Sequence, residues 1–188
     1  MKEKHHLPYQ IIDNLFSADE CQRIISLWDK PEIGQIFGHE TPSPELRISE
    51  ISWIKPSKET GWIFERIAQV VLRKGDLGIS SELFLLEHGL QLTFYNAEKG
   101  GHYYFHQDSG EKNTRKLSLS VLLSSPQMFD GGRLEFLDSQ RKVVDSKLTQ
   151  GSVAYFSSSQ VHRVSPVLKN VRWSLVGWFS ERVESITQ

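Results

Sequence analysis

The chain has 188 residues, 38% hydrophobic and 24% charged, with 22 basic side chains against 23 acidic ones and a net charge of -1. That length fits one domain. The charge balance removes any general pull toward nucleic acid or an anionic membrane, and no apolar run reaches the roughly 20 residues of a membrane span. Residues 1–10 lack the apolar centre of a secretory signal. Cys21 is the sole cysteine, which excludes an intrachain disulfide, so a reducing, cytoplasmic location is expected.

Taken in order, Ser17 and Glu20 form a capping-box pattern ahead of an apolar stripe of Cys21, Ile24, Ile25 and Trp28 at helical spacing. Cys21 reads as core packing, and Pro31 is expected to end this helix. Residues 31–46 hold three prolines and further turn formers and predict a loop. A strand is expected over 48–54. A second helix, roughly 59–73, is capped by Ser57 and has Ile63, Ile67, Val70 and Val71 on its buried side. Lys74-Gly75-Asp76 closes it.

From Leu83 the pattern changes to short strands separated by turns, as in a β-sandwich or jelly roll. Leu90, Leu92 and Phe94 alternate with Gln91, Thr93 and Tyr95, so the polar face of that strand is free to line a site, and Tyr95 is a candidate pocket residue. Further strands are expected at 102–108, 117–123, 133–137, 142–145, 151–157, 161–164 and 171–179. Two helices ahead of the strands would buttress one sheet. The result is one α+β, mainly β domain over 1–188, with 1–80 as helical N-terminal support and 81–182 as jelly-roll core.

On the strand at 102–108, His106 and Asp108 project from one face. An imidazole and a carboxylate two residues apart are two ligands for a divalent metal, and His162 is the best placed third. Two His and one carboxylate leave three positions open on an octahedral ion, which suits non-haem Fe(II). On the last strand, Arg172, Ser174, Val176 and Trp178 share a side. A buried guanidinium beside a hydroxyl is a carboxylate-binding pair.

Several motifs together resemble the Fe(II)- and 2-oxoglutarate-dependent oxygenases, in the prolyl-4-hydroxylase-like branch that includes the PKHD-type hydroxylases. They are Gly100-x-x-Tyr103-x-x-His106-x-Asp108, the run from Leu117 to Ser124, Asp130-Gly131-Gly132-x-Leu134-x-Phe136, Gly151 to Phe156, Ser157 to Val167 around His162, and Val171-Arg172-Trp173-Ser174-Leu175. The segment from Asp13 to Ser17 ahead of the first helix is similar too. The resemblance implies a double-stranded β-helix. It also implies His106, Asp108 and His162 as catalytic ligands of Fe(II), and Arg172 on the distal carboxylate of 2-oxoglutarate with Ser174 assisting. Tyr95 and Tyr103 would contact co-substrate or substrate. Ascorbate would serve as reductant, and relatives of this kind can form homodimers.

The implied reaction hydroxylates an unactivated C–H bond, most consistently in a prolyl or similar residue of a peptide, protein or free amino acid, with decarboxylation of 2-oxoglutarate to succinate. Asp108 in the ligand set disfavours halogenation. Two departures stand out. Leu122 occupies the position where many relatives carry a Tyr that helps hold the distal carboxylate, and strict alternation places Tyr104, not Tyr103, on the ligand face. Other readings stay open: a tailoring oxygenase on a small metabolite, or a jelly-roll binding module without catalysis. A nucleic-acid demethylase is disfavoured by the charge balance. His102 reads as a loop residue near substrate, His39 and His88 as exposed or structural, Arg115 as a solvated loop cation, and Trp53 and Trp173 as core. Loops at 35–45, 54–61 and 109–115 are expected to set specificity.

Overall fold

The computed structural model describes residues 7–36, 43–80, 82–85, 88–110 and 114–181. In chain order the elements are β1 (Gln10–Ile12), α1 (Ala18–Ile25), β2 (Glu32–Ile33), β3 (Arg47–Ile48), β4 (Glu50–Ile54), α2 (Gly61–Val71), β5 (Leu83–Leu85), β6 (Leu90–Asn96), β7 (His102–His106) and β8 (Arg115–Leu122). They continue with β9 (Asp130–Gly131), β10 (Leu134–Leu137), β11 (Val143–Asp145), β12 (Val153–Ser157), β13 (His162–Val164), β14 (Val167–Lys169) and β15 (Val171–Glu181).

Two antiparallel sheets carry the fold. The major sheet runs β1-β12-β8-β15-β6-β4-β2, with β5 also paired to β15. The minor sheet runs β11-β10-β13-β7-β3. This is the expected mainly β double-stranded β-helix with two helices. The partition at residue 80 is crossed by the sheets: β1, β2 and β4 belong to the major sheet and β3 to the minor one, so the N-terminal part supplies strands as well as helical support. Among the described residues no helix is long and apolar enough to cross a membrane.

Period-two alternation on the major sheet divides its two faces. Leu117, Leu119 and Val121 of β8, Leu90 and Leu92 of β6, and Leu175 and Phe179 of β15 join Ile24, Ile63, Ile67 and Val70 of the helices in one apolar cluster. A second cluster, with Phe136, Phe156, Ala154, Leu134 and Val164, lies among residues of both sheets and packs directly on the site: the Phe156 ring is 4.6 Å from that of His162.

Helix α1 starts as its sequence dictates. The Glu20 N–H donates to Ser17 Oγ at 3.2 Å, and the Ser17 N–H donates to the Glu20 carboxylate at 2.8 Å. It stops at Ile25, short of Pro31, because the Ser26 and Leu27 N–H groups already turn back onto the carbonyls of Gln22 and Ile24. Helix α2 begins at Gly61; Ser57 caps the turn before it, accepting from the Glu59 and Thr60 N–H groups at 3.2 Å. Cys21 is fully buried in the helical cluster, and that burial pushes its thiol up to about 11, which leaves a packing residue rather than a nucleophile. Gly151, at φ +78°, is a position only glycine tolerates: a Cβ there would run into the Phe16 carbonyl, where the chain enters α1.

Replacing Ser17 with alanine removes one half of the capping box and is expected to lower the unfolding free energy by about 1 kcal/mol. Urea denaturation checks this, and an unchanged midpoint contradicts it.

Candidate active site

The centre forms where β7 and β13 pair. His106 and His162 are direct partners across that ladder, so their rings stand side by side with centroids 4.2 Å apart. Asp108 lies just past the end of β7, where its N–H donates to the Ser158 carbonyl at 2.9 Å. Nε2 of His106 is 3.6 Å from Oδ1 of Asp108, and Nε2 of His162 is 3.6 Å from Oδ2. All three ligand atoms lie within 4.8 Å of one another. Ligands at about 2.1 Å from a common ion stand about 3 to 4 Å apart, so the set fits one divalent cation.

Backbone carbonyls set the rings. His106 Nδ1 lies 2.8 Å from the Tyr104 carbonyl, and His162 Nδ1 lies 2.9 Å from the Gln160 carbonyl. Each contact places the proton on Nδ1 and leaves Nε2 as the ligand atom. Burial, reinforced by repulsion from His106, lowers His162 to about 4, which keeps it neutral. Burial alone would raise Asp108. The neighbouring His162 and His106, with a hydrogen bond from Ser118, outweigh it and hold the carboxyl far below its usual range.

Tyr103 joins the site through an irregularity. Val164 pairs with Tyr103 while His162 pairs with His106, so β7 carries a bulge between them. The extra residue turns Tyr103 inward, stacked on His106 with centroids 3.5 Å apart, and turns Tyr104 outward, 53% exposed. The family motif thus names the inner tyrosine, and strict alternation misplaces it. Burial pushes the Tyr103 hydroxyl up to about 12, so it remains a neutral donor.

Arg172 is 1% exposed. Its Nη1 donates to Ser174 Oγ at 3.0 Å, and its guanidinium carbon sits 5.5 Å from the centre of the Tyr95 ring. Among the described residues no carboxylate pairs with it and its Nε has no partner. Burial draws its pKa down. A desolvated guanidinium of this kind calls for an anion, and the donor set fits a carboxylate. Between the histidines and Arg172, the inner face of β6 contributes Gln91, Thr93 and Tyr95, as alternation predicts, and β15 contributes Ser174, Val176 and Trp178.

Other residues stand apart from their sequence readings. Arg47, read from the sequence as a residue of the early strand with no site role, is buried, donates to Gln91 Oε1 at 3.0 Å and lies 4.6 Å over the Tyr103 ring; an arginine alternating with serine on a short strand was the available signal. Trp53 is not core: half-buried, it walls an outer cleft of about 710 Å³ with His88, Arg115 and Trp178. Arg115 opens β8 and sits 4.4 Å over the Trp178 ring rather than in a solvated loop. His102 starts β7, where Nδ1 meets the Gly100 carbonyl at 2.8 Å, and does not line that cleft. Trp173 packs on Trp28 and Phe94, as expected of core. His39 and residues 111–113 lie outside the described residues.

Because His162 is depressed from 6.5 to about 4, its neutral form belongs to the fold and its protonation opposes it. Its contribution to the stability of the metal-free protein is therefore full above about pH 6.5 and declines as pH falls toward about 4. An imidazole NMR titration of metal-free protein is expected to show His162 protonating near pH 4; a midpoint above 6 contradicts this.

The model of the 2OG-Fe(II) oxygenase superfamily matches residues 90–180. A PKHD-type hydroxylase of Pseudoalteromonas atlantica is 26% identical over 192 residues, covering 95% of this chain and 80% of the relative. One from Hyphomonas neptunium is 36% identical over 72 residues, covering 38% of this chain but only about a third, 32%, of that relative's length. Among solved structures, a Pseudomonas putida prolyl-4-hydroxylase superposes with a TM-score of 0.68 at 22% identity, covering 94% of each chain. A Trichoplax adhaerens prolyl hydroxylase, solved with a hypoxia inducible factor peptide fragment, gives 0.76 at 19% identity, covering 93% of this chain and 84% of that one. Residues 90–180, which carry the His-Asp-His site, match the 2OG-Fe(II) oxygenase superfamily, and the chain as a whole is similar to the PKHD-type hydroxylases and shares the double-stranded β-helix of the prolyl hydroxylases.

Proposed function

We propose that the protein is an Fe(II)- and 2-oxoglutarate-dependent dioxygenase that hydroxylates a C–H bond of a prolyl or similar residue carried by a peptide or protein. The observation that carries this reading is the pairing of two features: three converging ligand atoms, and a buried guanidinium, hydrogen-bonded to Ser174 of the chamber wall, that lacks a carboxylate partner among the described residues. A dicarboxylate that is also a metal chelator satisfies both at once. The family supplies the identity of metal and co-substrate; the side chains supply the fit.

Iron at this site, with 2-oxoglutarate and O₂, supplies oxidative decarboxylation to succinate and CO₂ coupled to transfer of one oxygen atom into a C–H bond. The protein's residues do the rest. His106, Asp108 and His162 would hold the ion, and as three protein ligands they would leave its remaining positions to co-substrate and O₂. Arg172 and Ser174 hold the distal carboxylate and so fix which way the 2-oxo end points. Tyr95 and Tyr103 line the chamber, Tyr103 as a neutral donor. Phe156 and Phe136, packed against His162, keep water from its buried side. The peptide reading is supported by the wide cleft over the metal side, whose aromatic walls Trp53, Trp178 and Tyr103 suit an apolar ring such as proline's. The likeness to a prolyl hydroxylase solved with a peptide points the same way.

Protein incubated with Fe(II), 2-oxoglutarate, ascorbate and proline-containing peptides is expected to release succinate and give a peptide heavier by one oxygen. Absence of succinate under all such conditions contradicts the reading. Arg172→Ala removes one partner of a buried charge pair and is expected to weaken 2-oxoglutarate binding by about 2 kcal/mol or more, roughly thirtyfold, with metal binding retained. Unchanged affinity overturns the role given to Arg172.

A further inference from the structure

The chamber that holds the histidines is small, about 40 Å³, and Arg172 is not among the residues that line it. A second pocket, of about 380 Å³, has Arg172 in its wall. The two spaces adjoin: Leu134 lines both, and Arg172 in the cavity wall is hydrogen-bonded to Ser174 in the chamber wall. Leu122 pairs with Ser174 across β8 and β15 and is also part of the cavity wall. An aliphatic side chain there offers no hydroxyl to the guanidinium and no ring to fill the gap.

The far wall is glycine backbone. Gly132 has φ +56°, and a Cβ on it would lie 2.9 Å from both Arg172 Cδ and Val167 Cγ2, so no side chain can grow into the cavity from that turn without displacing the arginine stem. The remaining lining combines Leu122, Leu134 and Leu148 with Ser146, Lys147 and Gln127. Ser146 is 4% exposed and its Oγ has no partner among the described residues, the same condition as Arg172 Nε. Asp145 also lines the cavity, but Arg133 holds its carboxylate at 2.6 Å and the Lys147 N–H donates to it, so its charge is already matched.

We propose that this cavity extends the co-substrate chamber, so that the protein takes 2-oxo dicarboxylic acids with a longer chain than 2-oxoglutarate. The inference rests on the co-substrate reading above. A chain longer than the span from the metal to Arg172 would continue past the guanidinium, with its methylenes against the leucines and its terminal carboxylate among Ser146, Lys147 and the free edge of Arg172. A volume of about 380 Å³ is ample for one or two methylenes and a carboxylate, and falls in the usual range of small-molecule sites.

The test is calorimetric titration of the full chain, loaded with Fe(II) in the absence of oxygen, with 2-oxoglutarate, 2-oxoadipate and adipate. The expected result is 2-oxoadipate binding within about threefold of 2-oxoglutarate, with adipate, which lacks the chelating keto acid, at least about a hundredfold weaker. Leu148→Trp, which fills the outer cavity, should cost 2-oxoadipate about tenfold or more while 2-oxoglutarate still binds, and that retained binding shows the variant is folded. If 2-oxoglutarate binds and 2-oxoadipate is more than about thirtyfold weaker, the extension is refuted and the co-substrate reading stands. If neither keto acid binds, both fall. Adipate binding as tightly as the keto acids refutes the extension in favour of a separate carboxylate site.

Discussion

The register between β7 and β13 is the constraint on which the rest depends. It sets His106 opposite His162 and so brings together two imidazoles that lie far apart in the chain. A slip of one residue would turn one of them to the other face of the minor sheet. Several features hold the pairing in place. The Asp108 and Ser109 N–H groups both donate to the Ser158 carbonyl at 2.9 Å. On the neighbouring strand, Phe136 of β10 is the direct partner of His162 and belongs to the apolar cluster. The bulge in β7 absorbs the odd residue that would otherwise force Tyr103 out of the chamber.

Around that register the chamber is made of groups that are costly to bury alone. Asp108 is compensated by the two histidines beside it. Among the described residues, Arg172 is compensated by a serine hydroxyl and the face of Tyr95 alone. Natural folds keep an under-compensated charge where a ligand completes it. The polar chamber wall and the apolar sheet face behind it come from the same strands: β6 turns Gln91, Thr93 and Tyr95 inward and Leu90 and Leu92 toward the helices, and β15 does the same with Arg172 and Ser174 against Leu175 and Phe179.

Much of this was legible in the residues. Alternation along β6 and β15 identified the chamber faces, and the capping box at Ser17 fixed the start of α1. The His-x-Asp spacing suggested two ligands and the resemblance around His162 a third, and the fold brings those three side chains together. What stayed hidden depends on long-range geometry. A bulge leaves no mark in a pattern of apolar and polar residues, so Tyr103 and Tyr104 were exchanged by alternation. Trp53 looks like core until the cleft above it is seen, because an aromatic wall and an aromatic core have the same composition. Arg47 and Arg115 took their positions from pairing and stacking partners distant in sequence. The end of α1 came before its proline because local turn hydrogen bonds closed the helix first.

The central claim is that His106, Asp108 and His162 form a single divalent-metal site that no other group among the described residues replaces. Anaerobic titration of the metal-free protein with Fe(II), for the native chain and for Asp108→Ala, tests it most directly. The account predicts one iron bound per chain and loss of that binding in the variant, with the fold retained by circular dichroism. Iron bound equally well by the variant, or no iron bound by the native chain, would contradict it.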